Sequence, residues 1–154
     1  MSATLAAEID AGDGMKIMFD TSALFKRYAA ESGHEQVAQI MERASLVALA
    51  PHCRIELMAT VARTLRERRI SPSDGERIAF ELGEDLKEWE VLPLSAQVEQ
   101  ASLRALNAAA LRGMDALHVG AALVARVSLF VTADIRQAQA AQALGLPIEL
   151  VSVL

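Results

Sequence analysis

Cysteine is almost absent from this 154-residue chain, in which Cys53 stands alone. That excludes an internal disulfide framework and a thiolate zinc cluster, and it fits a reducing compartment, the cytoplasm. Long apolar runs are also missing. A membrane-spanning helix takes about 20 consecutive apolar residues, and the most apolar stretch, residues 108–130, is broken by Arg112, Asp115, His118 and Arg126. No membrane association is expected. The chain does not begin with basic residues followed by an apolar core. Residues 1–14 mix small side chains with Glu8, Asp10 and Asp13, so they read as a disordered leader, or as an upstream start ahead of Met15, rather than a secretory signal. The eight glycines build neither a Gly-x-Gly-x-x-Gly turn nor a Walker loop, which argues against dinucleotide and nucleoside-triphosphate chemistry.

Positive charge is in deficit as well: the net charge is −5 and the sequence pI about 5.2. By itself that argues against binding nucleic acid through a broad basic face. The deficit counts for less if several acids form a cluster that a divalent cation neutralises, leaving Lys26, Arg27, Arg54, Arg63, Arg66, Arg68 and Arg69 to meet phosphates. Hydrophobic content of 53% against 23% charged is the balance of one globular domain, here residues 15–154. A mean hydropathy of +0.25 exceeds what so small an interior can hide, which implies a protein partner or a homodimer.

Apolar runs and helical periodicities alternate along the chain. Residues 16–19 form a strand ended by Asp20, with Thr21 and Ser22 as caps of a helix reaching Tyr28. A helix over 34–43 and a strand or buried turn over 46–49 follow. Residues 51–69 predict an amphipathic helix with Ile55, Met58, Val61, Ala62 and Leu65 inward. Ser71 and Pro72 open the next helix, before a short strand at 89–94. Ser95 caps a helix with Val98, Ala101, Leu103, Ala105 and Leu106 as core candidates and Gly113 at its end. Another helix starts near Asp115 and runs to about Arg126. A strand at 129–131, a helix over 134–144 closed by Gly145, and a strand at 148–153 complete the pattern. The fold class is α/β, a three-layer α/β/α domain around a central, mostly parallel sheet.

Four acids stand out. Asp20 and Asp134 each follow a strand and so belong at the carboxyl ends of parallel strands, where open α/β sheets place ligands. Each also opens a helix, so each is either an N-cap or a ligand. Glu56 lies on or beside the apolar side of its helix, either as a site residue or with its stem on the core and its head in water. Asp115 begins the most apolar helix, where it must cap, pair or bind metal. Taken together, clustered carboxylates repel unless a cation sits among them, and Mg²⁺ and Mn²⁺ prefer such hard oxygen ligands. A cation held there suits phosphodiester hydrolysis.

The segments Phe19-Asp-Thr-Ser-Ala-Leu24, Glu56 in its helix, Met114-Asp-Ala-Leu-His118 and Phe130-Val-Thr-Ala-Asp134 resemble the four acidic motifs of PIN domains. The likeness is to VapC-type toxins of bacterial toxin–antitoxin pairs and covers the chain from about Lys16 onward. It implies a Mg²⁺- or Mn²⁺-dependent endoribonuclease that dimerises and is inhibited by a cognate antitoxin. It also implies that Asp20, Glu56, Asp115 and Asp134 are both the catalytic and the metal-binding acids, with the hydroxyls of Ser22 and Thr132 as supporting polar groups. Two features depart from the family: a longer leader before Met15, and Arg136 and Gln137 where some relatives carry a further acid, which bears on the number of metals held.

Other residues point to less. His118, alone on an apolar helix, reads as a structural group; His34 and His52 have no partner pattern, and Cys53 lacks a nucleophile's neighbours. Arg63 to Arg69 is either a solvated helix end or a phosphate rail. The rival functions are a PIN-like module that binds RNA or protein without cutting, and a DNA nuclease or phosphatase on the same carboxylates.

Overall fold

The computed structural model describes residues 14–152, so the expected leader, apart from Gly14, lies outside the described residues. Five strands, β1 (Met15–Phe19), β2 (Ala44–Leu49), β3 (Glu90–Val91), β4 (Leu129–Thr132) and β5 (Ile148–Leu150), form one sheet in the order β3-β2-β1-β4-β5. Every strand pairing is parallel. Seven helices connect them: α1 (Thr21–Tyr28), α2 (His34–Arg43), α3 (Cys53–Arg66), α4 (Pro72–Asp85), α5 (Ala96–Ala108), α6 (Gly113–Ala125) and α7 (Ile135–Ala143).

Strand side chains alternate in direction, and the two cores follow that period. Ile17, Phe19, Val47, Leu49, Leu129 and Val131 face one layer, which holds Leu24 and Phe25 of α1, Val37 and Ile40 of α2, Leu57 and Val61 of α3, and Ile78 and Leu82 of α4. Met18, Ala48 and Phe130 face the other, which holds Val98 and Ala105 of α5, Ala116 and Val119 of α6, and Ala140 and Ala141 of α7. Phe19 and Phe130 have no exposure at all, and burying each contributes about 1.5–3 kcal/mol. Three layers around a parallel sheet are what the alternating pattern requires.

Several local expectations change. Of the capping candidates for α1, it is Asp20 that caps, its carboxylate accepting from the Ala23 amide, and not Thr21 or Ser22. On α3 the buried residues are Cys53, Leu57, Val61 and Thr64, while Ile55 is 75% exposed. On α5 they are Val98, Ala101, Ser102 and Ala105, and Leu103 and Leu106 are 55% and 39% exposed. The reason is close approach: a Cβ on Gly120 of α6 would lie 2.2 Å from Ser102 Oγ and 2.6 Å from its backbone nitrogen. Helices this near can face each other only with small residues. Gly113 opens α6 behind the cap residue Arg112 instead of closing α5, which ends at Ala108. The strands expected at 89–94 and 148–153 shorten to β3 and β5. Ser71 and Ser95 cap α4 and α5 as expected, Ser71 in a reciprocal capping box with Asp74.

No single described helix is long and apolar enough to cross a membrane. The apolar pair α5 and α6 is bent by 118° at the break between them, and its small-residue faces are buried in the fold.

Candidate active site

The connection from β1 leads to β2 on one side, while β4 lies against β1 on the other. Strand order thus reverses between β1 and β4, and a crevice opens at their carboxyl ends. Asp20 directly follows β1 and caps α1. Asp134, just past β4, caps α7, its Oδ1 accepting from the amides of Arg136 at 2.8 Å and Gln137 at 3.4 Å. Both helix N-termini favour a carboxylate there.

Asp20 is completely buried at the floor of the crevice. Ser22 Oγ donates to it across 2.8 and 2.9 Å to Oδ1 and Oδ2, the Ala23 amide donates to Oδ1 at 2.9 Å, and Thr132 Oγ1 donates to Oδ2 at 2.6 Å. Each carboxylate oxygen is thus contacted twice, Oδ1 by Ser22 and the Ala23 amide and Oδ2 by Ser22 and Thr132, with the single Ser22 proton shared between them. Burial raises its pKa above the ordinary value, against the opposing effects of the His118 charge, the two hydroxyls and the amide. Ser22 Oγ also accepts from the Ala133 amide at 3.0 Å, and Thr132 Oγ1 from the Asp134 amide at 2.9 Å. These hydroxyls therefore tie the two strand ends together.

Glu56 and Asp115 reach the crevice from opposite layers. Glu56 lies in the first turn of α3. Its Oε1 accepts from Thr21 Oγ1 at 2.7 Å and from His118 Nε2, and lies 3.3 Å from His52 Nε2. Its burial favours the neutral acid, but the His118 hydrogen bond and charge, then Thr21 and His52, outweigh it and hold the carboxyl below its ordinary pKa. Asp115 is the third residue of α6, not its cap, and its Oδ1 accepts from Gln137 Nε2 at 3.2 Å.

All four acids line a single cleft of about 420 Å³. Glu56, Asp115 and Asp134 each commit one oxygen to protein donors, Oε1, Oδ1 and Oδ1 respectively. Among the described residues, Glu56 Oε2, Asp115 Oδ2 and Asp134 Oδ2 have no partner. Carboxylates lining one cleft offer hard oxygens of the kind a divalent cation takes. The tightest group of ligand-type atoms among the described residues is a different one, His52, Glu56 and His118, whose atoms lie within 4.8 Å of one another. Glu56 belongs to both.

The expected phosphate-facing cations divide. Lys26 is buried and donates to Glu31 at 3.1 Å and the Ser32 carbonyl at 2.7 Å, and Arg27 is held by Asp85, so neither is free for a phosphate. Arg63 and Arg69 are exposed and line the cleft. Arg69 gets there because Arg68 takes a left-handed φ of 55°, ending α3 with bonds from the Arg68 amide to the Leu65 carbonyl and from the Arg69 amide to the Thr64 carbonyl. Arg112 and Arg136 flank a neighbouring hollow shared with Glu56, Asp115 and Asp134.

Thr21, His52 and Gln137 join the site without a sequence signal of their own, and His118 does more than hold structure. The one available signal was spacing: Asp115 and His118 are three apart and share a face of α6. His52, which showed no partner pattern, donates from Nε2 to the Met114 carbonyl at 2.8 Å, and its ring packs, tilted, 4.2 Å from the His118 ring.

The sequence matches the PIN-domain family model over residues 17–143. In fold, the chain is similar to one from a toxin–antitoxin complex of Klebsiella pneumoniae, with 18% identity, a TM-score of 0.56, and coverage of 79% of this chain and 88% of that one. It is also similar to a chain of VapBC2 from Rickettsia felis bound to a DNA fragment from its promoter, with 15% identity, a TM-score of 0.63, and coverage of 90% and 100%. No curated protein matches the sequence.

Proposed function

The chain belongs to the PIN-domain family, and from that premise we propose that it is a divalent-cation-dependent endoribonuclease, the toxin of a toxin–antitoxin pair, working in the cytoplasm. The observation that carries this reading is the trio of unpartnered oxygens on Glu56, Asp115 and Asp134 around one cleft, with Asp20 on its floor. Acids placed only to cap or to pair would have no reason to line one cleft.

Mg²⁺ or Mn²⁺ would be held by Glu56, Asp115 and Asp134, with Asp20 completing the set. When bound, the cation supplies Lewis-acid polarisation of a phosphoryl oxygen and a more acidic water. The protein's share is placement. The α1 and α7 N-termini and the Ser22 and Thr132 hydroxyls fix Asp20 and Asp134. Arg63 lies seven residues, or roughly 10.5 Å of helix rise, beyond Glu56. With Arg69 it binds flanking phosphates and keeps the strand in the cleft, contacts that position without reading sequence.

A protein partner is supported at the rim. Ile55, Met114 and Ile135 are each next in sequence to a site acid, and all three are exposed. An antitoxin segment covering them would close the cleft to RNA. Phe80, Leu94 and Leu103 are exposed elsewhere and suit a second copy of the chain in a homodimer.

The test is cleavage of a mixed RNA pool by the purified chain with Mn²⁺ or Mg²⁺, against EDTA and against DNA of matched sequence. RNA cutting that EDTA abolishes supports the proposal. A folded protein that cuts nothing with either metal overturns it in favour of a binding module, and preferential cutting of DNA overturns the RNA assignment.

A further inference from the structure

Asp20 and Asp134 each accept from a backbone amide at a helix end, Asp20 from side-chain hydroxyls as well. Asp115 accepts from one side chain, Gln137. Glu56 lies within a helix, and one of its oxygens is held by side chains from two other elements: Thr21, the first residue of α1, and His118, one turn along from Asp115 on α6. Thr21 Oγ1 donates to Oε1 at 2.7 Å. His118 Nε2 contacts the same oxygen, and since an ionised carboxylate only accepts, Nε2 carries the proton and donates. Thr21 Oγ1 and His118 Nε2 are themselves 3.3 Å apart, so two donors converge on one oxygen.

The imidazole has little freedom to do anything else. His118 is 1% exposed, and the His52 ring packs 4.2 Å from it at 42°. His52 is in turn tethered to the Met114 carbonyl, next to Asp115. Oε2 of Glu56 is left without a donor among the described residues, in the cleft that Asp115 and Asp134 also line.

We propose that Thr21 and His118 are a positioning pair for Glu56, fixing Oε1 so that Oε2 is the oxygen presented to the divalent cation. The proposal rests on the reading above that Glu56 is a ligand. It assigns neither residue to the reacting atoms: they act through Glu56, as hydrogen-bond partners of metal-bound carboxylates do elsewhere, where their loss costs about 10- to 100-fold in metal affinity.

The experiment is a Mn²⁺ titration of the full chain without RNA, followed by calorimetry and by the electron paramagnetic resonance signal of free Mn²⁺, with thermal melts to confirm folding. Thr21→Val keeps shape and removes the donor, and Thr21→Ser restores it. His118→Ala removes the second donor, and His118→Gln restores an N–H near Nε2. Glu56→Gln reports on the ligand itself. Thr21→Val and His118→Ala are each expected to weaken Mn²⁺ binding about 10- to 100-fold, with Thr21→Ser and His118→Gln recovering most of it. Should His118→Ala fail to fold, the Thr21 pair decides alone. If Glu56→Gln weakens binding while Thr21→Val leaves it at the wild-type value, the positioning pair is wrong and the ligand assignment stands. If Glu56→Gln binds Mn²⁺ as wild type does, the ligand assignment fails, and the pair with it.

Discussion

Thr132 Oγ1 stands between two acids, donating to Asp20 Oδ2 at 2.6 Å and accepting from the Asp134 amide at 2.9 Å. One buried hydroxyl thus links the end of β1 to the end of β4 at the point where the sheet reverses its order. Thr132→Val conserves shape but leaves a fully buried carboxylate oxygen with Ser22 alone and removes the acceptor of a backbone amide. It is expected to lower stability by about 1–3 kcal/mol, read from urea unfolding at neutral pH. A change within about 0.5 kcal/mol, the range of ordinary surface substitutions, would show that water replaces the hydroxyl at no cost.

Gly120 sets the spacing of α5 and α6. A methyl there meets not only Ser102 Oγ but the Ser102 backbone nitrogen and Cα, at 2.6 and 2.8 Å. Backbone cannot rotate aside as a side chain can. Gly120→Ala should therefore destabilise by about 1–3 kcal/mol, even though alanine is intrinsically better in a helix by about 1 kcal/mol. Chemical denaturation checks it, and a stabilised variant would mean the helices pack less closely than described.

Asp85 gathers Arg27 and Tyr28 away from the cleft: Arg27 Nε and Nη2 donate at 2.8 and 3.0 Å, and the Tyr28 hydroxyl at 2.6 Å. Partial burial pushes the Asp85 pKa up, but the Arg27 and Tyr28 hydrogen bonds and the Arg27 charge prevail and depress it. A depressed carboxyl contributes stability that is whole above its unfolded pKa, near 3.8, and is lost as pH falls through the folded value. Asp85→Asn should cost about 1–2 kcal/mol at pH 7, a charged hydrogen bond discounted for solvent screening. The gap between variant and wild type should hold to about pH 5 and narrow below about pH 4. Urea melts at pH 7, 5 and 3.5 measure it; a gap that widens in acid would reverse the assignment.

Burial pushes the Cys53 thiol up to about 12, and its side chain has no exposure. Thiolate is the reactive form, so the native chain at pH 8 should resist iodoacetamide while the unfolded chain is alkylated at once. Mass spectrometry distinguishes the two, and rapid native labelling would show that α3 opens at its first turn.

What the sequence shows of this protein is what local chemistry determines. Unbroken apolar runs along 17–19 and 129–131 lead directly to a sheet buried on both faces, and Ser71 and Ser95 announce their helices because a cap needs only its own next turn. Asp20 and Asp134 were legible as strand-end acids for the same reason. The errors lie where partners distant in sequence decide. Ile55 looked inward by hydrophobicity, yet α3 turns Cys53, Leu57, Val61 and Thr64 inward, and Thr64 satisfies its hydroxyl on the Thr60 and Val61 carbonyls. Leu103 and Leu106 lost the interior to Ala101, Ser102 and Ala105 because Gly120, in another helix, demands small neighbours. His118 read as structural because its partner, Glu56, is 62 residues away.

If the carboxylates lining the cleft do chemistry, Asp115 reports it most cleanly. Asp20→Asn would disturb a buried helix cap with three donors, confounding fold with function. Among the described residues the Asp115 side chain makes one hydrogen bond, Gln137 Nε2 onto Oδ1, which asparagine can still accept, so Asp115→Asn removes charge and little else. The measurement is single-turnover cleavage of RNA with Mn²⁺ by wild type and Asp115→Asn, beside their melting temperatures. The account predicts a loss on the order of 100-fold or more with the melting temperature kept; a variant that cuts at the wild-type rate would contradict it.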